Sequence, residues 1–364
     1  MRIAVVGTGL VGASFGLAAR RAEAGEVVGW DEDPNALEVA AERGAVSPAA
    51  SLQEALAEAD IALVAVPVAT LPGAVRSVLE TAAEDCTVTD VGSTKETVCA
   101  AAASDVRFVG GHPICGAETQ GPARASADLF DGATWFLTPL AVTEPARYRA
   151  IHALVAAVGA RPVAIDPAAH DRLVAVTSHL PHALANVLLN QAGSARMDGH
   201  EPLAAAGGSL RDMTRIAGAN PRIWVDIFLD NRAALAPALA EHRRRVEQLE
   251  AALADGDAGF LARWIGEAAG NRRRMLESAY EDVGRLHRLR VHVPDRPGVL
   301  AGIFQALGAE RINVADFDLE HLSRERGGTL TILVGSEDDA TLASAMLEQQ
   351  GYGVVAAPVV DDAD

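Results

Sequence analysis

An open α/β sheet with helices on both faces, then an all-α segment, then a small α+β module is the order of folds that this 364-residue sequence predicts. Three observations predict it. Up to about residue 165, short β-branched apolar runs alternate with Ala/Leu/Glu-rich stretches of helix length, the pattern of a largely parallel, doubly wound sheet. From about 167 to 284 the strand-like runs vanish and long helical patterns follow one another. From about 287 the order becomes strand, helix, strand, strand, helix, strand, the ferredoxin-like order. The expected domains are therefore 1–166, 167–285 and 286–364.

In the first segment RIAVVG, EVVGW, IALVAVP, TVTDVG, RFVGG, TWFLTP and RPVAID read as strands, each bounded by Gly, Pro or Asp. In the second, HDRLVAVTSHLPHALANVLLN, NPRIWVDIFLDNRAALAPALAEHRRRVEQLEAALA and DAGFLARWIGEAAGNRRRMLESAY read as helices, punctuated by Pro237 and by the DGDAG run. Pro181 has no backbone donor, so the carbonyl of Thr177 loses its partner and a kink is expected there. Long helices with broad apolar stripes need a partner, which points to a homodimer. In the third segment LHRLRVHV, GGTLTILV and YGVVAAP are strands, with a helix from about Asp338 to Gln349.

Composition narrows the function. Hydrophobic residues make up 49% and aromatics only 4%, so the core is built from Ala, Val and Leu. The net charge of -18 repels phosphates, which argues against a nucleic-acid partner. The basic runs HRRR (His242 to Arg245) and NRRR (Asn271 to Arg274) lie beside acidic residues and read as solvated helix faces or a subunit contact. Cys86, Cys99 and Cys115 have neither metal nor redox spacing, which fits a reduced cytoplasmic setting. The chain runs straight into a strand without a signal-peptide pattern, and no apolar run reaches the roughly 20 residues of a membrane span.

Gly7-Thr8-Gly9-Leu10-Val11-Gly12 follows the first strand and opens a helix, and Asp31 ends the second strand. This is a dinucleotide fingerprint: glycines for a tight turn, close approach to a pyrophosphate and close helix packing, with the acid on the ribose hydroxyls. It predicts a Rossmann-type domain. The acidic cluster Asp31, Glu32 and Asp33 would repel a 2′-phosphate, so NAD is expected over NADP. DVGSTK and FVGGHP put Ser93 and His112 at the carboxyl ends of strands, where such sheets bind ligands. Ser93 also reads as a helix N-cap with Glu96 completing the pattern, and His112 as a packed turn histidine. His179 and His182 share a helix face that Asn186 continues. They lack the glutamate and carboxylate spacing of a zinc site, so no metal is expected, and core histidines are the plainer reading. Arg211 and Arg215, one helical turn apart beside Gly207-Gly208, suit a carboxylate-bearing substrate; pairing with Asp212 or Asp226 is the alternative.

Together GTGLVG, DVGSTK, GGHPICGAE, HDRLVAVTSHLPHALAN and RDMTRIAGANPRIWVDI resemble the prephenate dehydrogenase family, in order, over residues 1 to about 285. The tail, with DRPGVL and INV, is similar to an ACT domain, a ferredoxin-like regulatory module that often binds amino acids. The resemblance implies oxidative decarboxylation of prephenate by NAD to 4-hydroxyphenylpyruvate, toward tyrosine; relatives use arogenate, with an amine in place of the ketone. It implies that His112 draws off the substrate hydroxyl proton, that Ser93 orients His112 and the nicotinamide, and that Arg215 and His182 contact the substrate, with Trp224 and Gly208 at the pocket edge. Two of the departures from the family's Gly-His-Pro-Met-Ala-Gly-Thr-Glu matter: Cys115 replaces Ala, and Ala117 replaces Thr, which removes one hydroxyl contact. No acidic residue inserted after GAETQGP welcomes an ammonium, which leans toward prephenate. In the tail, Gly298 and Asn313 are placed to hold a tyrosine effector between two copies, although Pro297-Gly298 is also an ordinary turn. Two other functions stay open: a hydroxyacid dehydrogenase, whose lysine base has no counterpart on the helix of His179 and His182, and an amino-acid-responsive NAD sensor without catalysis.

Overall fold

The computed structural model describes residues 1–115, 120–196, 199–279, 285–323 and 327–359. The Ala117 exchange lies outside them. The chain forms two compact units, Met1–Arg244 and Arg245–Asp364.

The first unit opens with β1 (Arg2–Val6), α1 (Leu10–Arg21), β2 (Glu26–Trp30), α2 (Pro34–Glu42), β3 (Ser47–Pro48), α3 (Leu52–Leu56), β4 (Ile61–Val64), α4 (Leu71–Thr81), β5 (Thr87–Asp90), α5 (Glu96–Ala101) and β6 (Phe108–Pro113). It continues with β7 (Thr134–Pro139), α6 (Pro145–Ala157) and β8 (Arg161–Ala164). These strands make one sheet, ordered β3-β2-β1-β4-β5-β6-β7-β8. The first six are parallel and follow the order of a dinucleotide-binding sheet, so their carboxyl ends share one edge. Alternation sets the layers: Ile3, Val5, Ile61 and Leu63 face the core under α1 and α6, and Ala4, Val6, Ala62 and Val64 face the core under α4 and α5.

Every strand read from the sequence is present, and the two-residue β3, too short to leave a pattern, is added. The direction changes at the end: β7 runs antiparallel to β6, and β8 follows β7. A parallel continuation needs a long crossover, usually a helix. After β6 the chain instead makes two short 3₁₀ turns, Pro122–Arg124 and Ala127–Phe130, against α1. Phe130 and Trp135 close on Phe15 of α1, with ring centroids 6.5 and 6.2 Å away. Arg21, at the end of α1, clasps Asp128 and Asp131.

Next come α7 (Pro167–Val174), α8 (Leu180–Ser194), α9 (Gly208–Thr214), α10 (Pro221–Asp230) and α11 (Arg232–Asp255). α7 and α8 are one run joined by a π-helical turn over Ala175–His179. This is the form taken by the expected distortion at Pro181. The Leu180 N–H steps back five residues to Ala175 O, and the His182 ring donates from Nδ1 to Ser178 O at 3.0 Å. Pro237, expected to punctuate the pattern, lies inside α11 instead. Both Pro237 and Ala233, whose carbonyl loses its partner, are exposed, so water can satisfy that carbonyl.

The second unit contains α12 (Ala258–Ala279), separated from α11 by the DGDAG run, then β9 (His287–Val293), α13 (Val299–Ala309), β10 (Val314–Ser323), β11 (Gly327–Val334), α14 (Glu337–Gln349) and β12 (Gly353–Pro358). The four strands form an antiparallel sheet, β10-β11-β9-β12. On β9, Leu289, Val291 and Val293 are buried against Ile303 and Leu307 of α13 and Leu347 of α14, while Arg288, Arg290 and His292 face water. Gly298 precedes α13 at φ +88°, a left-handed conformation that strains any side chain. Asn313 is exposed just before β10.

Candidate active site

The three glycines of the fingerprint differ in what surrounds them. Gly7 is at φ +93°, and a Cβ there would meet Ala65 O at 2.4 Å. A Cβ on Gly12 would meet Gly7 O at 2.0 Å, so α1 rests directly on the loop. Of the three, Gly9 opens onto space, with none of the described residues within 4 Å of its Cβ position. Among the described residues no side chain caps α1, so the N–H groups of its first turn, at Leu10, Val11 and Gly12, have no side-chain acceptor there. Asp31, at the end of β2, accepts from Thr8 N at 2.5 Å, from Thr8 Oγ1 at 3.0 Å and from Asp33 N at 2.9 Å. A carboxylate has further lone pairs for ribose hydroxyls. An open anion cradle beside an anchored acid fits a dinucleotide.

Farther along the same sheet edge, β5 and β6 are tied by a fully buried ion pair. The Lys95 ammonium bonds Asp90 Oδ2 and donates to Gly111 O at 2.6 Å. Asp90 in turn accepts from Gly92 N at 2.8 Å and Gly111 N at 3.0 Å. The glycines of β6 are there for room: a Cβ on Gly110 would meet Thr138 Oγ1 at 2.2 Å, and one on Gly111 would meet Asp90 O at 2.5 Å. His112 follows, half-buried, near the strand's carboxyl end.

The helical segment reaches this edge through α7. Asp171 accepts from Lys95 N at 2.8 Å and Glu96 N at 2.9 Å, and so caps α5. Ser93 therefore does not act as the cap; it is half-buried on the loop between β5 and α5. His170 is fully buried between Asp171 and His112: its Nδ1 is 2.8 Å from Asp171 Oδ1, and its Nε2 is 2.8 Å from His112 Nδ1. Asn231 donates to Asp171 O at 2.9 Å and to His179 Nδ1 at 2.9 Å. His182 stacks on Trp224 with ring centroids 3.5 Å apart, and His179 meets the same indole edge-on at 6.1 Å.

Burial pushes His112 well below the usual histidine range, helped by nearby His170, Lys95 and His179. Burial also pushes His179 down to about 4, against the pull of Asp171, and lowers His182. All three imidazoles are neutral at pH 7.

Thus His112, His179, His182 and Trp224 are joined through His170, Asp171 and Asn231. Gly208 begins α9, which packs on α8; Arg211 lies on α9 and Arg215 just beyond it, both with exposed side chains. Asn186 donates to His182 O at 2.8 Å, which spends its amide on its own helix. Asp90, Lys95, His170, Asp171 and Asn231 are not among the residues the sequence singled out. One signal was available for Lys95: it is the only lysine in the sequence, in which every other basic residue outside the histidines is arginine. Among the described residues, no three His, Cys, Asp or Glu side chains are grouped to hold a metal ion, and no helix is long and apolar enough to cross a membrane.

Comparison with known proteins gives these features a family. Residues 15–164 match the prephenate dehydrogenase nucleotide-binding domain, 166–267 its dimerization domain, and 287–347 the ACT domain. A prephenate dehydrogenase of Bacillus subtilis is 30% identical over 355 residues, 95% of either chain. The chain belongs to the prephenate dehydrogenase family. It is an NAD-dependent oxidoreductase of that family, with an NAD-binding domain. Two solved structures, both 28% identical, are similar to it. One is the Aquifex aeolicus prephenate dehydrogenase in complex with hydroxyphenyl propionate and NAD+ (TM-score 0.71, covering 76% of this chain and 98% of that one). The other is the Synechocystis arogenate dehydrogenase (TM-score 0.68, covering 76% and 100%).

The glycine geometry separates packing from binding. Gly12→Ala is expected to destabilise the protein by about 1–3 kcal/mol through overpacking. Gly9→Ala is expected to leave urea unfolding within about 0.5 kcal/mol of wild type, as for an unconstrained surface site. In calorimetric titration it should weaken NAD by about tenfold, or 1.4 kcal/mol. Unchanged NAD affinity in Gly9→Ala would remove the loop from the pyrophosphate site.

Proposed function

We propose that this enzyme oxidatively decarboxylates prephenate with NAD, giving 4-hydroxyphenylpyruvate and carbon dioxide, and that arogenate is the alternative substrate. The observation that carries the reading is His112: a neutral, half-buried imidazole at the sheet edge that also bears the nucleotide loop. In this reading residues 1–166 hold the cofactor, 167–285 the substrate and dimer contacts, and 286–364 the regulatory module.

Gly7, Gly9, Leu10, Val11 and Gly12 cradle the pyrophosphate, and Asp31 takes the adenosine ribose hydroxyls. Bound there, NAD is the hydride acceptor. His112 accepts the hydroxyl proton as the carbinol carbon gives up its hydride, and Ser93 orients the ring. Arg215, with Arg211, holds substrate carboxylate through paired guanidinium hydrogen bonds. His182, His179, Trp224 and Gly208 border the ring. Loss of the ring carboxylate leaves an aromatic product, which makes the step effectively irreversible. Prephenate is favoured because prephenate names dominate among the similar proteins. Arogenate stays as the alternative because the Synechocystis enzyme is just as similar in sequence as the Aquifex one.

A homodimer is supported by the dimerization-domain match and by exposed apolar side chains on the helical segment, among them Val176, Val187, Ile223, Val225 and Leu229. A tyrosine effector at Gly298 and Asn313 is supported by the ACT match and by the N-terminus of α13, which no side chain caps among the described residues.

NADH absorbance after mixing the protein with NAD and either substrate tests the reading. Turnover is expected with prephenate. A preference for arogenate would reverse the substrate assignment, and no rate with either would end the reading. Because His112 titrates below the usual histidine range, kcat/KM should stay flat from pH 8 through about 6.5 and fall only below it. His112→Asn should lower kcat by about 10²–10⁴-fold with binding kept, while Arg215→Gln should mainly raise KM.

For the tail, Asn313→Ala is the cleaner probe, since any side chain at Gly298 is strained regardless of ligand. Loss of tyrosine inhibition in Asn313→Ala is the expected result. Competitive inhibition that survives would move tyrosine to the catalytic pocket.

A further inference from the structure

His170 and Asp171 serve no purpose in the mechanism above, yet they form a buried chain behind its base. Asp171 is 2% exposed and His170 fully buried. The edge of the His170 ring is held by Phe136, with centroids 5.5 Å apart, and by His112 at 5.0 Å. Such a ring has little freedom to rotate.

The hydrogen bonds fix where the protons lie. The Asp171 carboxylate can only accept, and it already takes the N–H groups of Lys95 and Glu96. His170 Nδ1, 2.8 Å from Asp171 Oδ1, must therefore carry a hydrogen. In the neutral ring Nε2 is then a bare lone pair. That lone pair is 2.8 Å from His112 Nδ1, so His112 must donate from Nδ1. The only lone pair left on His112 is at Nε2. Two residues outside the pocket have chosen which nitrogen of the base is basic.

We propose that His170 and Asp171 are positioning residues that lock His112 in its Nδ1–H tautomer, leaving Nε2 to take the substrate proton, and that they hold that proton in place during turnover. The inference rests on reading His112 as the base. Proton accounting gives it a purpose. The substrate O–H bond breaks and its proton goes to His112 Nε2, while the oxygen's electron pair forms the carbonyl as the C–H hydride leaves to NAD. The bond to the ring carboxylate then breaks, carbon dioxide departs, and that electron pair aromatises the ring and leaves a phenolate. The phenolate takes the proton back from His112. No proton is released to solvent overall, so the base must keep one briefly and return it to the same oxygen. A chain ending in a carboxylate stabilises the imidazolium for that interval, and its burial denies the proton an exit.

Two substitutions separate hydrogen bonding from space filling. His170→Phe fills the site but cannot accept from His112. His170→Gln can accept through Oε1 and donate to Asp171 through its amide. Long-range proton–nitrogen spectra of protein labelled with ¹⁵N-histidine read the tautomer without turnover, with the His112 signals identified by their loss in His112→Asn. Wild type should show a protonated Nδ1 and a bare Nε2 on His112. His170→Phe should lose that pattern and lower kcat by about 10²-fold, within the range of proton-transfer groups, with KM for both substrates moving less than about twofold. His170→Gln should keep the pattern and recover at least about tenfold of that loss. A protonated Nε2 on His112 in wild type would overturn the proposal. So would equal losses in the two variants, or a His170→Phe kcat above about half that of wild type. If wild type turned over neither substrate, the functional reading would fail while the spectra still decided the tautomer.

Discussion

Two charged side chains sit where water cannot reach them, and the geometry of the site depends on them. Asp90 and Lys95 are both fully buried. Taking such ions out of water costs several kcal/mol each, and only good geometry with every hydrogen bond made offsets it. Here the bonds are made to backbone: Asp90 takes the N–H groups of Gly92 and Gly111, and Lys95 takes the carbonyl of Gly111. The pair thereby fixes the ends of β5 and β6 relative to each other. Ser93 is one residue from Gly92, and His112 is one from Gly111. A guanidinium is wider and planar, whereas an ammonium is a compact donor on a flexible stem. That difference gives a physical reason for an arginine-rich chain to use its only lysine in this slot.

The same few residues carry the helical segment to the sheet. Asp171 caps α5 at Lys95 and Glu96, the turn of chain that also supplies the buried ammonium. Asn231, between α10 and α11, binds Asp171 O and His179. The π turn, caused by a proline that cannot donate, directs His182 Nδ1 to Ser178. Tautomers here are thus set from several sides: a backbone carbonyl for His182, a buried acid for His170 and through it His112, and the Asn231 amide for His179.

Much of this was legible in the sequence because it is local. Strand runs, the glycine spacing, Asp31 about 20 residues on and the alternation in β9 all lie within one element or one turn of it. What escaped is nonlocal. The reversal at β7 comes from an irregular connection with no periodicity of its own. His170 meets His112 across 58 positions, and Asp171 meets Lys95 across 76. The histidines of HDRLVAVTSHLPHALAN share a helical run, but their partners come from β6, α5 and the α10–α11 junction. Pro237 shows the opposite error: a strong local breaker was tolerated because its cost falls on an exposed carbonyl.

Asp90 and Lys95 thus act as one energetic unit that holds the ends of β5 and β6. A double-mutant cycle on unfolding free energy, with Lys95→Met, Asp90→Asn and the two combined, decides whether they do. Each single change should cost about 3–5 kcal/mol, because it leaves the partner buried without its counter-charge, and the double change should cost clearly less than their sum. Single losses below about 1 kcal/mol that simply add would show two independent side chains instead.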